Sequence, residues 1–345
     1  MSGSPGNQLA NRIVSDNGNI ATNFTTLVDG DLAASSATLG RVYYDTVSGE
    51  LKYIGTESVP GPGPGAWTGG GNLNTARFSL AGDGSQSAGL AFGGVDGSSI
   101  VTNTEEYDGT SWSSGGNLAT ARSLLAGAGT QTSGLAIGGT TGSVTAATEE
   151  YDGSAWTSGG NLATARSALA GAGTQSAGLA FGGSAGGSTG ATEEYDGSTW
   201  SSGGNLGTAR YELAGAGTQT SGLAFGGIVS FAANSASEEY NGTAWSAGGN
   251  LGTARYALGS AGTETAGLAF GGLGTSGRTS VTEEYNGATW GSGGNMATSR
   301  NSLAGAGSQA AGLGFGGYSG GVTAATEEYS LGTVTIPVVK IIAAT

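Results

Sequence analysis

The sequence predicts an all-β fold, a six-bladed β-propeller with four antiparallel strands in each blade, and three observations carry that prediction. Trp67, Trp112, Trp156, Trp200, Trp245 and Trp290 recur at intervals of 45, 44, 44, 45 and 45 residues. Arg77, Arg122, Arg166, Arg210, Arg255 and Arg300 keep the same intervals. Between them stand six Gly-Gly pairs, from Gly93-Gly94 to Gly316-Gly317, and six Glu-Glu-Tyr triplets, from Glu105-Glu106-Tyr107 to Glu327-Glu328-Tyr329. A period of this length, rich in glycine and aromatics, is the sequence mark of a propeller blade.

Residues 1–65 lie outside the repeat. The first 40, rich in Asn, Ser and Thr, predict an extended arm that orders on a partner. Gly40–Asp45 and Glu50–Ile54 flank Thr46-Val47-Ser48-Gly49 and predict a β-hairpin. Val59-Pro60-Gly61-Pro62-Gly63-Pro64-Gly65 reads as a stiffened linker. The chain therefore divides into an arm, hairpin and linker (1–65), a propeller (66–330) and a C-terminal tail (331–345).

One repeat, from Arg122 to Trp156, supplies four strands. Ser123–Gly129 is a run of small residues and predicts strand A, with Thr130–Ser133 as a tight turn. Gly134–Gly139 is apolar and predicts strand B; Ala147–Tyr151 predicts strand C. Asp152-Gly153 signals a two-residue hairpin turn into strand D, Ser154–Thr157. Blades converge on an axis, so the innermost strand must be built from Ala and Gly. Trp and Tyr on the outer strands fill the widening gap between blades. The array opens on a D strand, Ala66-Trp67-Thr68, and closes on a C strand at Glu327-Glu328-Tyr329. Joining the ends completes a sixth blade. The rival closing strand is Thr333–Val339, which lacks the Trp.

Composition narrows the chemistry. The net charge is −14, with 11 Lys plus Arg against 25 Asp plus Glu, which argues against nucleic acid. No run of 18 apolar residues predicts a membrane span, and the polar start, Met1–Gly6, lacks the basic and apolar regions of a secretory signal. Cysteine and histidine are both absent, which removes disulfides, Ser-His-Asp and Cys-His catalysis and the common zinc and copper sites. No cofactor or metal is expected.

Comparison of the repeats with one another locates their differences. Every change between 44 and 45 residues falls between Gly-Gly and Glu-Glu-Tyr, in the B–C loop. In an antiparallel blade the B–C and D–A connections emerge on one face, which is therefore a face of variable loops, and loops on a rigid scaffold are where binding resides. Phe231, Arg278, Tyr318, Asp96 and Ile228 are its unusual residues; the alternative for them is neutral drift. The six repeated arginines suggest either a cationic ring for an acidic glycan or, as the better reading, ion pairs with one Glu of each Glu-Glu pair. Paired carboxylates beside Tyr resemble part of a glycosidase site, but adjacent strand residues point to opposite faces and a sixfold motif is not a single catalytic centre. The Asp-Gly-x-x-Trp run falls one residue short of a sialidase Asp-box spacing.

Gly182-Gly183, Tyr195-Asp196, Trp200 and Arg210, with their five counterparts, resemble the kelch repeat: Gly-Gly after strand B, Tyr-Asp ending strand C, Trp on strand D and Arg before the next strand A. Asn241 and Asn286 replace Asp in the turn, and Ser330 ends the last triplet. The resemblance implies that the repeated Trp and Arg positions are structural. The hairpin is similar to short modules near the ends of phage tail-fibre and other virion proteins. The whole arrangement resembles the kelch-type structural proteins of marine bacteriophages. It implies a non-enzymatic virion protein, assembled in the host cytoplasm and exposed outside. Its N-terminal region would join other virion proteins, as an oligomer on the particle, and display the propeller to a host-surface glycan or protein. The alternatives are a cellular or secreted kelch adaptor and, third, a carbohydrate-active propeller enzyme.

Overall fold

The computed structural model describes residues 65–332 in full and, outside them, the backbone of the strands Ile13–Val14, Ile20–Ala21, Val42–Asp45, Glu50–Pro60 and Thr333–Ile341. The second blade shows the pattern. Strand A is Ala126–Thr130, strand B Ser133–Ile137, strand C Thr148–Tyr151 and strand D Trp156–Ser158. They pair antiparallel in the order A-B-C-D, with Ala126 opposite Ile137, Leu135 opposite Glu150 and Tyr151 opposite Trp156. Six four-stranded sheets of this kind make the propeller.

The sixth is closed from both ends of the array. Strands Ala304–Gly307, Ala311–Phe315 and Thr326–Ser330 are joined by Ala66–Gly69, with Tyr329 opposite Trp67 and Ser330 opposite Ala66. Thr333–Ile341, the rival closing strand, pairs elsewhere.

Two local expectations change. Strand A begins at Ala126 rather than Ser123, because Leu124 is turned to a φ of 53° and donates its N–H to the carbonyl of Ser79 in the preceding blade. Ser79, Ala168, Glu212, Ala257 and Ser302 hold the same conformation. Each of the six donates to the carbonyl of its counterpart in the preceding blade, at 2.7 to 2.9 Å, until Ser79 reaches Ser302. This closed ring of backbone hydrogen bonds surrounds the axis. The C–D connection is also longer than a two-residue turn. It is a four-residue loop, Asp152 to Ala155, in which one Asp152 carboxylate oxygen accepts the N–H groups of Ser154 and Ala155. Asn241 does the same for Thr243 and Ala244, so amide and carboxylate serve this turn alike.

The core lies between blades. Leu90 and Phe92 of the first blade are buried against Ala136, Tyr151 and Trp156 of the second. The Trp156 ring stands 4.9 Å from both Phe92 and Tyr151, and its Nε1 donates to Thr104 Oγ1 of the preceding blade at 2.9 Å. Trp67 repeats this from the N-terminal side, 4.8 Å from Phe270 and bonded to Thr282.

All six arginines of the repeat are fully buried. Arg122 donates from Nη1 to the carbonyls of Gly138 and Ala147, and from Nη2 to Glu149 at 2.8 Å. Burial lowers its pKa and the Glu149 charge opposes that shift. The other five pair in the same way with Glu105, Glu193, Glu238, Glu283 and Glu327. The second Glu of each pair faces the other side, as alternation along a strand requires, and accepts the Tyr hydroxyl of the next blade, Tyr151 to Glu106 for example. Burial first, and that bond second, push Tyr107, Tyr151, Tyr195, Tyr240 and Tyr285 up to about 12.

The second unit joins the two ends of the sequence. Val42–Asp45 pairs with Glu50–Pro60 as the expected hairpin, and Thr333–Ile341 pairs along the far side of Glu50–Pro60, from Thr333 opposite Pro60 to Ile341 opposite Lys52. The expectation of a separate C-terminal tail is thus corrected: the β-branched run Thr333-Val334-Thr335-Ile336 forms a strand. Val59 and Pro60, expected in the linker, belong to a strand as well. Ile13–Val14 pairs with Ile20–Ala21. The rest of the predicted arm, and 61–64 of the predicted linker, lie outside the described residues.

Two outcomes follow from this packing. Arg122→Ala leaves Glu149 and two carbonyls buried without their donor, and is expected to cost about 3–5 kcal/mol in urea denaturation. Trp67→Ala should cost about as much as Trp156→Ala, ~3–5 kcal/mol. Only the Trp67 change should speed amide exchange first in strands 304–330, because it loosens the strand that closes the ring.

Candidate binding face and central channel

Each D–A connection meets the B–C loop of its own blade. The residue after the repeated Arg pairs with the residue after Gly-Gly: Phe78 with Val95, Ser123 with Thr140, Ser167 with Ser184, Tyr211 with Ile228 and Asn301 with Tyr318. In the fifth blade Tyr256 pairs with Leu273. Both kinds of connection therefore share one face. Its second and third blades present small hydroxyl residues, whereas the fourth, fifth, sixth and first present Tyr211, Tyr256, Tyr318 and Phe78. The face is chemically one-sided.

The five candidate residues separate on this face. The Arg278 guanidinium lies 5.3 Å over the Tyr318 ring, and the Tyr318 ring meets Phe78 edge-on at 6.0 Å. These three form a strip across the fifth, sixth and first blades. Phe231 stands 96% exposed at the tip of a hairpin formed by Ile228–Val229 and Ala232–Ala233. Ser230 and Phe231 both have positive φ, 50° and 65°, a conformation that usually calls for Gly or Asn. Two expected surface residues are not free. Ile228 is buried beneath the hairpin, because an apolar branched side chain beside Tyr211 packs inward. Asp96 accepts the N–H groups of Ser98 and Ser99 and the Ser98 hydroxyl, so it holds its own loop and its carboxyl lies below the usual range. The six repeated arginines are buried ion pairs and form no exposed cationic ring.

On the axis, the A strands of all six blades enclose a cavity of about 240 Å³. Most of its lining is Ala, Gly and Leu, interrupted by Ser79, Ser260 and Ser302 and by two carboxyls. Glu212 belongs to the ring of inter-blade hydrogen bonds, where the other blades carry Ser79, Leu124, Ala168, Ala257 and Ser302. Burial raises its pKa, and its charge adds to the burial that raises Tyr256. Asp83 occupies the strand A position held by Ala128, Ala172, Ala216, Ala261 and Ala306 in the other blades. It is 8% exposed, its Oδ2 has no hydrogen-bond partner, and burial pushes its carboxyl well above the ordinary range against one backbone N–H from Ala128.

Phe78, Tyr211, Tyr256, Asp83 and Glu212 were not among the expected site residues. Aligning the six repeats exposes the signal: Asp83 stands where the other five carry Ala, and the two positions after each Arg, which hold Phe78, Tyr211, Tyr256 and Glu212, vary inside a segment that is otherwise nearly constant. No protein-family model matches the chain, and no curated protein shows significant similarity to it.

A carboxyl with a folded pKa above its unfolded value binds its proton more tightly in the folded state. The stability it contributes is complete below its ordinary value of about 4 and is lost as pH rises toward the folded value. Asp83→Ala is therefore expected to stabilise the protein at pH 7, by about 1–3 kcal/mol as for an unsatisfied buried polar group. The gain should shrink as pH falls toward about 4, which thermal melts of both proteins across that range would measure.

Proposed function

We propose that this protein is a non-enzymatic recognition module of kelch type, which binds its ligand through the loop face and displays it from a virion. The observation that carries the reading is where the charge is spent. Between residues 65 and 332 there are seven cations, and six of them are the buried arginines of the repeat. Twelve carboxylates are likewise consumed by those arginines and by the inter-blade tyrosines. The seventh cation, Arg278, lies on the loop face beside Tyr318, and Phe231 is exposed on the same face. Arg and aromatic side chains are the types that dominate interface energy. The virion setting rests on the likeness of the blade motif and N-terminal hairpin to phage structural proteins.

Two measurements test this. Changing Phe231, Arg278 and Tyr318 together to Ala should leave the melting temperature nearly unchanged, since surface substitutions usually stay within ~0.5 kcal/mol. The same change should weaken binding to the host surface or partner by about tenfold or more. Full binding by that variant, with loss of binding on substitution of Asp108 or Asp152 in the opposite turns, would place the site on the other face. Mass spectrometry of purified particles should find the chain. Deletion of residues 1–60 should abolish its incorporation; unchanged partner binding without any particle association would identify a cellular adaptor instead.

A further inference from the structure

The Asp83 carboxyl has no counterpart in five otherwise equivalent strands, and it sits where a charge is hardest to keep. It is more than nine-tenths buried, one oxygen lacks a partner, and its neighbours along the channel are Ala and Gly. Gly127 of the next blade leaves the carboxyl its space: a Cβ there would approach Asp83 Oδ1 to 3.0 Å. Asp83 is one of the two acids among the residues that line the channel. Among the described residues no cation compensates it, because the repeated arginines are committed to glutamates and Arg278 is stacked on Tyr318. A buried, uncompensated carboxyl is costly, and an arriving cation would be correspondingly well held.

The rest of the channel narrows the class of cation. Each A strand is the edge of its sheet, so its outer backbone groups pair with no further strand. Beside those unpaired groups the lining offers the methyl and methylene of Ala and Leu, with Ser79, Ser260 and Ser302 among them, a mixed surface that suits an amine on an alkyl chain. Among the described residues no cluster of three acids stands ready for a metal ion. The second carboxyl of the channel, Glu212, stands at the inter-blade ring of the opposite blade. It is four residues before Ala216, the counterpart of Asp83, which separates the two acids along the axis by up to roughly 13 Å, the rise of four strand residues. That separation calls for a chain with charges at both ends.

We propose that the central channel binds a linear alkyl amine, with one ammonium group held by Asp83 and, in a polyamine, a second held by Glu212 at the loop-face mouth. This site is independent of the outer loop residues, so the two readings can fail separately. The probes are spermidine, putrescine and butylamine, added to the full chain at constant ionic strength to remove general screening of an acidic protein. Calorimetry should show saturable binding, tightest for spermidine.

Asp83→Ala installs the residue of the other five blades and should fold; it is expected to weaken all three amines by about tenfold to a hundredfold. Asp83→Asn, which keeps the shape and removes the charge, should do the same. Glu212→Ala, again a residue found in sister blades, should bring spermidine down to the affinity of butylamine and leave butylamine unchanged. Absence of saturable binding, or equal binding by Asp83→Ala, would overturn the proposal, the latter marking the amines as mere counterions of the surface.

Discussion

Each blade is locked by one arginine acting in two directions. The side chain of Arg122 fastens the end of strand B to the start of strand C in its own blade, through the carbonyls of Gly138 and Ala147 and the Glu149 carboxylate. Its backbone carbonyl accepts the N–H of Gly94 in the blade before. Gly93 beside it has a φ of 64°, and a Cβ there would lie 2.6 Å from the same carbonyl oxygen. The Gly-Gly pair and the Arg are thus two halves of one contact across a blade boundary. All six boundaries carry it, the last running from Gly317 to Arg77. The guanidinium is fixed at the cost of burying its Nε without a partner in every blade. Such a pair contributes definition of geometry more than net stability.

This lock separates what can vary from what cannot. Strands A to D, the Asp-Gly turns and the Tyr–Glu bonds are set by contacts that recur at each boundary, so a change in one repeat disturbs a neighbour. The B–C loops carry the differences in length; their last residues are tied to the D–A connection of the next blade, as Thr145 is to Arg166, but their tips lie beyond the lock. The residues immediately after each Arg sit at the border of the two regimes. Their backbone is fixed by the ring around the axis, but their side chains face the loop surface or the channel, which is why Phe78, Tyr211, Tyr256 and Glu212 are free to differ among blades.

The same division explains what could be read from the residues. Periodicity located the blades, the closing strand at Trp67 and the partner of each Arg, because every one of these depends on features repeated six times. Features that occur once or depend on backbone conformation were less legible. Nothing in Ser123-Leu124-Leu125 announces a positive φ at Leu124, which is imposed by the neighbouring blade. Ile228 looked like a surface residue because its loop is variable, yet the pairing with Tyr211 buries it. Thr333–Ile341 has strand character but no motif to name its partner.

The closing strand and the sheet formed by the two ends of the sequence share one topological step. Ser330 pairs with Ala66, and Thr333 pairs with Pro60, so only residues 61–65 and 331–332 separate the two sets of pairs. Either pairing alone must bring together segments some 260 residues apart in the chain. Once one has formed, the other closes a loop of only a few residues. Loop-closure entropy grows as the logarithm of length, so the second pairing is favoured by about 3 kcal/mol over the first. The joint sheet and the sixth blade thereby raise one another's effective local concentration. A ring built of nearly interchangeable units gains by this a single preferred place at which to shut.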